Sequence, residues 1–575
     1  MAKRHAEEPL EDLAAADSPA SKRTRVDNEL DPSTTDDAST ATGPTRTQRH
    51  GQRNGQAFEE DARNGDDILA AADQEEEELE EAELEEAELD GPSADLDDDV
   101  DAPVLTAPAR QHAPAEGYTD LYLDTISRAV LDFDFEKLCS VTLSNINVYA
   151  CLVCGKYYQG RGPKSQAYFH ALEVGHHVFI SMQTQRVYVL PEGYEVQSKS
   201  LDDIRYVVDP RYTRDDALKL DREPQASRDL AGRRYVPGFV GMNNIKDNDY
   251  FNVVVHALAH VAPLRNFFML EDFTGAPQLV QRFSILIRKL WNPRAFKSHV
   301  SPHELLQEIS LRSNKRFTLT QQSDPVDFLS WFLNNLHRAL GGSKTKPGTS
   351  IVQKVFQGKL KVESQQITAK ADAGDRLRFE EAAEVKVDIS RFLMLTLDLP
   401  RAPLFKDERD QNIIPQVPLT TILAKYDGLQ AQEHLAHRRR YRLLHPLPPY
   451  LLFHIKRFSR NKFVDEHNRT IVTFPVRSLD MSPYVEPSMA HAAPGEPIWY
   501  DLAANVTHEG VRRRDDSVEG EGMAKLWRVQ LRDKSREEWV QVQDLFVEEV
   551  RKEILFLGES YLQVWEKRRE PKKAA

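Results

Sequence analysis

Cysteine is nearly missing from this chain of 575 residues: Cys139, Cys151 and Cys154 are the only three, and nothing beyond residue 154 carries a thiol. So sparse a supply excludes a disulfide scaffold and fits a reducing compartment. It also denies most of the chain a thiolate, the reacting species of any cysteine enzyme. Histidine stops at His508, so any imidazole base must come from that residue or from upstream of it. No apolar run approaches the roughly 20 residues needed to span a bilayer, and the N-terminus shows no secretory hydrophobic core. Lysine and arginine are absent from residues 71–100, which hold 16 Asp and Glu. Outside that segment 75 basic residues face 75 acidic ones, so the formal net charge of -16 describes one stretch and not the folded part.

What is present divides the chain by composition. Residues 1–113 have almost no aromatics and too little apolar area to offset the entropy of ordering, so they read as a disordered acidic tail. Within it LEEAELEEAEL (79–89) repeats every five residues, a period that suits no coiled coil. Lys3-Arg4 and Lys22-Arg23-Thr24-Arg25 have the form of a bipartite nuclear import signal, and equally of a charged tail with no receptor. Aromatic and aliphatic residues return near Tyr118. A small compact unit is expected over 114–212, a charged linker over 213–234, a large α+β domain over 235–568 and a basic tail over 569–575. Periodicity in the large domain predicts helices at 249–261, 279–291 and 324–340. It predicts strands at 391–399, 450–458, 470–474, 501–507 and 561–565. The His- and Arg-rich run 434–442 and the segment 509–523 are expected to be exposed.

The small unit carries a metal-type constellation. Cys151-x2-Cys154-x15-His170-x5-His176 offers two thiolates and two imidazoles, the set that tetrahedral zinc favours, and it opens on a tight C-x-x-C knuckle. A unit of this size gains much of its order from such an ion. His177 adjoins His176, and spacing does not separate the two. A second pair, His256 and His260, has the i, i+4 spacing of helical metal ligands but lacks the glutamate of a zinc protease, and reads as core or surface histidine.

The segment YACLVCGKYYQGRGPKSQAYFHALEVGHHVFI (149–180) resembles the ubiquitin-protease-type zinc finger. The resemblance implies one complete zinc site, Cys151, Cys154, His170 and His176. It implies that a second family site survives only as Cys139, because Gln159 and Gln166 stand at its other positions. Arg161 matches the arginine with which the family grips the C-terminal glycines of ubiquitin, and Tyr149 stands where a tryptophan is usual. That pair reads either as a retained ubiquitin-tail contact or as a docking surface for another partner.

The large domain is similar to the ubiquitin-specific proteases, a papain-like fold of thumb, palm and fingers. The resemblance rests on QQSDPVDFL (321–329), MLTLDLP (394–400), LPPYLLFHIKRF (447–458), the Tyr500-to-Gly510 strand, WVQVQD (539–544) and SYLQVW (560–565). In the family a cysteine opens the central helix, whereas here Asp249 precedes Tyr250. The family's base lies in a Gly-His-Tyr, and the equivalent stretch GEGMAKLWRV (520–529) has no histidine. Gln543 stands at the third triad position, with Asp544 beside it, and Asn244 matches the oxyanion-stabilising asparagine. The resemblance therefore implies a protease fold without a catalytic residue, and fingers without their usual zinc, held by packing or shortened. The wording NNIKDNDYFN (243–252) and DFDFEKLCS (132–140) resembles the inactive branch of this family found in the spliceosomal U4/U6.U5 tri-snRNP. That branch implies a nuclear pre-mRNA splicing scaffold with tri-snRNP proteins as partners, RNA met only indirectly, and weak ubiquitin binding as the alternative.

Overall fold

Short strands with β-branched and aromatic residues build the first sheet. Its order is Tyr157–Gln159, Val148–Cys151, Val178–Ser181, Val187–Val189 and Tyr194–Val196, all antiparallel. The computed structural model describes residues 121–568 apart from 372–376, 401–414, 435–436, 461–464, 488–496 and 513–522. All of them belong to one compact unit. The acidic tail, the basic clusters near the N-terminus, the basic tail 569–575 and most of 509–523 lie outside the described residues. Against the five-stranded sheet sits the helix Gln166–Val174. It ends at Gly175 in the left-handed region (φ 74°), which reverses the chain and returns His176 toward the helix. The core of this part includes Leu131, Val148, Val178, Ile180, Val187 and Ile204, all buried.

The second part is built around the helix Asp249–Ala259, every residue of which is buried. Val253, Val254 and Val255 are poor intrinsic helix formers, so tertiary burial and not propensity holds this helix. It packs on a large sheet ordered 395–398, 450–456, 559–567, 499–512, 523–533, 538–543 and 546–550. The first pair is parallel and the rest antiparallel. The strands 450–456 and 559–567 are buried along almost their whole length, whereas the edge strand 546–550 is mainly exposed. Tyr450 and Leu452 enter the core shared with the helices, whereas Leu451, Phe453 and Ile455 enter a second core on the other face. This is the two-residue period of a strand.

The three predicted helices are present as Asp249–Ala259, Gln278–Leu290 and Pro325–Ala339. The run 434–442 is partly exposed, at His437 and Arg440, but it is also paired in a sheet. The strand His437–Leu444 lies inside a four-stranded sheet, between Gly358–Ala371 and Asp427–His434, and buries Tyr441. Charge hid this strand, because three consecutive arginines, 438–440, precede the two positions that turn inward, Tyr441 and Leu443. That sheet contains no cysteine. Its longest pairing runs from Gly358 opposite Phe392 to Ala371 opposite Leu377, and Leu360 and Val362 pack on the second core.

The segment 213–234 is ordered against the large domain. A capping box at Thr213 starts the helix Arg214–Lys219, Leu220 is buried in the main core, and Asp221 takes a two-pronged contact from the buried Arg265 at 2.8 and 2.9 Å.

Candidate functional site

In the finger the knuckle geometry comes from Gly155, whose left-handed φ of 75° lets its N–H donate to the Cys151 carbonyl at 2.9 Å. A side chain there would meet the Val130 carbonyl oxygen at 2.6 Å, so only glycine fits. Cys151 ends a strand and is fully buried. One donor atom from each of Cys151, Cys154, His170 and His176 lies within 4.8 Å of the others. His170 Nε2 is 3.5 Å from Cys154 Sγ and 3.1 Å from His176 Nδ1. Zinc held at its usual bond lengths to sulfur and nitrogen sets tetrahedral donors about 3.3–3.8 Å apart. The donor set and these separations fit that ion. Tyr158 stacks on the His170 ring at 4.2 Å and fixes its orientation.

The neighbours sort themselves clearly. His177 turns away, its Nδ1 2.7 Å from the Leu190 carbonyl and its ring stacked on Tyr122. Cys139 stands outside the cluster, buried, with the Thr142 N–H 3.4 Å from its sulfur. Arg161 lies over the Tyr188 ring at 4.6 Å, and Tyr149 meets the same ring edge-on at 6.1 Å. Sequence reading paired Arg161 with Tyr149 but missed Tyr188, the ring that joins them from a different strand.

At the head of the central helix, Asp249 is a buried carboxylate surrounded by neutral donors. Gln322 Nε2 donates to both oxygens at 2.8 and 2.9 Å, the Tyr250 N–H donates at 2.9 Å and the Trp527 N–H at 3.1 Å. Gln322 also donates to the Lys525 carbonyl at 2.8 Å, which draws the strand Met523–Asp533 over the helix terminus. Burial pushes the Asp249 carboxyl up to about 6 against the pull of these hydrogen bonds. At neutral pH it is therefore mainly ionised. None of its hydrogen-bond partners among the described residues is an imidazole. The downstream His508 sits on a neighbouring strand with Nδ1 3.1 Å from Glu559.

The other degenerate positions fall differently from the sequence expectation. Gln543 does not face Asp249, because its Oε1 accepts from Arg528 Nε at 2.8 Å. Asp544, one residue on and in the left-handed region (φ 50°), takes the place at the site. It accepts from Asn244 Nδ2 at 3.0 Å and from Asn252 Nδ2 at 2.9 Å. Asn244 Oδ1 in turn accepts the Asn248 N–H at 3.1 Å, and Asn248 Nδ2 reaches Asn252 at 3.0 Å. Asn244 thus belongs to a ladder of asparagines four residues apart, a spacing that was available in the sequence as a signal for the missed Asn248 and Asn252. Gly241 makes the closure possible: a side chain there would strike the Leu545 backbone at 2.8 Å and displace Asp544. The decoy pair, His256 and His260, lies wholly in the core, where burial holds the two at about 3 and about 4, uncharged.

Two families match the chain: residues 139–201 match "Zn-finger in ubiquitin-hydrolases and other protein", and residues 240–568 match "Ubiquitin carboxyl-terminal hydrolase". The chain is 53% identical to the "Probable mRNA-splicing protein ubp10" of Schizosaccharomyces pombe, over 78% of this chain and 88% of that one. It is 47% identical to "Ubiquitin carboxyl-terminal hydrolase 39" of Homo sapiens, over 78% and 80% respectively. Among solved structures, an essential yeast splicing factor superposes with a TM-score of 0.61 and 31% identity, over 78% of this chain and all of that one. With a finger of the ubiquitin-hydrolase type ahead of a hydrolase-type domain, and with splicing proteins among its relatives, this chain belongs to the ubiquitin carboxyl-terminal hydrolase family.

Proposed function

We propose that this chain is a nuclear pre-mRNA splicing factor that supports assembly or stability of the U4/U6.U5 tri-snRNP through protein contacts and cuts no ubiquitin. The observation that carries the reading is 53% identity, across 78% of this chain and 88% of the relative, to a protein named for mRNA splicing. The chemistry of the cleft supports the inactive half of the proposal. A carboxylate held by neutral donors is a poor attacker of an isopeptide, and no thiol exists beyond residue 154. The finger (114–212) holds one structural zinc through Cys151, Cys154, His170 and His176. It is joined through 213–234 to the inactive domain (235–568), and the tails 1–113 and 569–575 flank them.

Affinity purification from nuclear extract, with sequencing of the co-purified RNA, tests the proposal. Recovery of the U4, U5 and U6 RNAs together is the expected result. Ubiquitin conjugates in their absence would overturn it. A second expectation concerns the cleft alone. Asp249→Cys restores the nucleophile, but Gln322 and the Trp527 N–H already meet that position and none of the hydrogen-bond partners of residue 249 among the described residues is an imidazole that could take the proton. Turnover of a ubiquitin C-terminal reporter should stay at the level of the buffer control. A clear gain of turnover would show that the nucleophile alone was missing.

The stack of Arg161 on Tyr188 with Tyr149 at its edge favours a second reading, a ubiquitin-tail contact on the finger. Ubiquitin affinity abolished by Arg161→Ala would support it.

A further inference from the structure

Outside the finger, a second group of side chains of metal-ligating type converges, its members within hydrogen-bond distance of a shared carboxylate. His467 ends the strand Asp465–His467, His508 lies on Trp499–Arg512, and Glu559 opens Glu559–Lys567. One carboxylate oxygen, Glu559 Oε2, lies 2.8 Å from His467 Nε2 and 3.1 Å from His508 Nδ1. One donor atom from each residue falls within 4.8 Å of the other two. These residues are far apart in the sequence and come from three strands.

The fold holds them in place. His508 and Glu559 are register partners on adjacent antiparallel strands. The segment carrying His467 is tied to the one carrying Glu559 by Arg457, a guanidinium 2% exposed. Its Nε donates to the Ser560 carbonyl at 2.6 Å, and its Nη1 donates to the carbonyls of Asn468 and Thr470 at 3.0 and 2.7 Å. The ring planes are set too. Phe458 stacks on His467 at 4.9 Å, and His508 packs edge-on against Phe458 and Trp527 at 5.0 Å each. All three residues line a cleft of about 850 Å³, which Gln541, Glu548 and Arg551 also line.

From this geometry we infer a divalent-cation site, suited to zinc, formed by His467, His508 and Glu559 and open to the cleft on its remaining side. Two imidazoles and one carboxylate are a recurrent zinc set, and three protein ligands leave a position for water or a partner's side chain. Preorganisation by hydrogen bonds beyond the ligands, which Arg457 supplies through the backbone, is what keeps such ligands converged. The site is independent of the finger and of the splicing reading.

The test is a zinc count on the full chain, by mass spectrometry after equilibrium dialysis against micromolar zinc, for the wild type and for His467→Gln and His508→Gln. The expected result is one zinc equivalent fewer in each variant than in the wild type. Thermal unfolding reports whether each variant still folds. Because the readout is a difference, it holds whether or not the finger is filled, so failure of the finger assignment is seen separately as the absolute count in the variants. A folded His467→Gln that binds as much zinc as the wild type would overturn the site and leave a plain hydrogen-bonded His–Glu–His group.

Discussion

Alanine at both Cys151 and Cys154 is expected to unfold the finger while the large domain stays folded. The finger's strands are only three or four residues long, and its helix is tied to the sheet at the cluster, where His170 of the helix meets the cysteines of the knuckle. Structural zinc contributes on the order of 10 kcal/mol to small domains, against a typical total stability of about 5–15 kcal/mol. Loss of the thiolates therefore exceeds what the small core around Val148, Val178 and Val187 supplies. The domain around Asp249–Ala259 has its own core and should retain it. Hydrogen exchange reads this directly: amide protection over 148–196 should collapse and that over 250–259 should persist. Unchanged protection in 148–151 would sink the zinc assignment.

Lys289→Met should loosen the finger from the domain by about 3–5 kcal/mol, the usual cost of breaking a buried ion pair from one side. Lys289 Nζ, from the helix Gln278–Leu290, donates to the Phe133 carbonyl at 2.7 Å and to Asp134 at 2.8 Å. Burial alone would lower the lysine, but Asp134 and Glu304 outweigh it and hold the ammonium charged. The other Asp134 oxygen accepts the Ser301 N–H at 3.0 Å, Lys137 pairs with Glu304 at 2.9 Å, and Lys297 pairs with Asp132. Phe296 of the domain completes the apolar contact by entering the finger's core. Thermal unfolding of the variant should separate into two transitions, the finger melting first. Adding Asp134→Leu should restore part of the loss, because an apolar pair replaces a stranded charge. A single transition with an unmoved midpoint would show that Phe296 and the remaining pairs suffice. Under the proposed splicing role, which needs two surfaces held in fixed relation, the variant is also expected to weaken co-purification of the U4, U5 and U6 RNAs.

What this chain lacks, and where its three long helices and several of its strands lie, can be read from the residues alone, whereas the strands Gly358–Ala371 and His437–Leu444 cannot. Absence of thiols beyond residue 154 is a fact of composition that no fold can reverse. The knuckle, the apolar helix behind Asp249 and the alternating strand Tyr450–Lys456 are local patterns, and local patterns survive folding because burial rewards the period that each already carries. Tertiary structure decided everything that turns on which way a side chain points. His176 and His177 differ by one position, and only the reversal at Gly175 sends the first to the metal cluster and the second to Leu190. Gln543 and Asp544 likewise diverge, because one step along an extended chain changes the face and the left-handed turn at Asp544 aims it at Asn244 and Asn252. The contact of Lys289 with Asp134 and the meeting of His467, His508 and Glu559 join residues from separate elements. Their distances are set by strand register and helix packing across the whole domain, which no local window of sequence encodes.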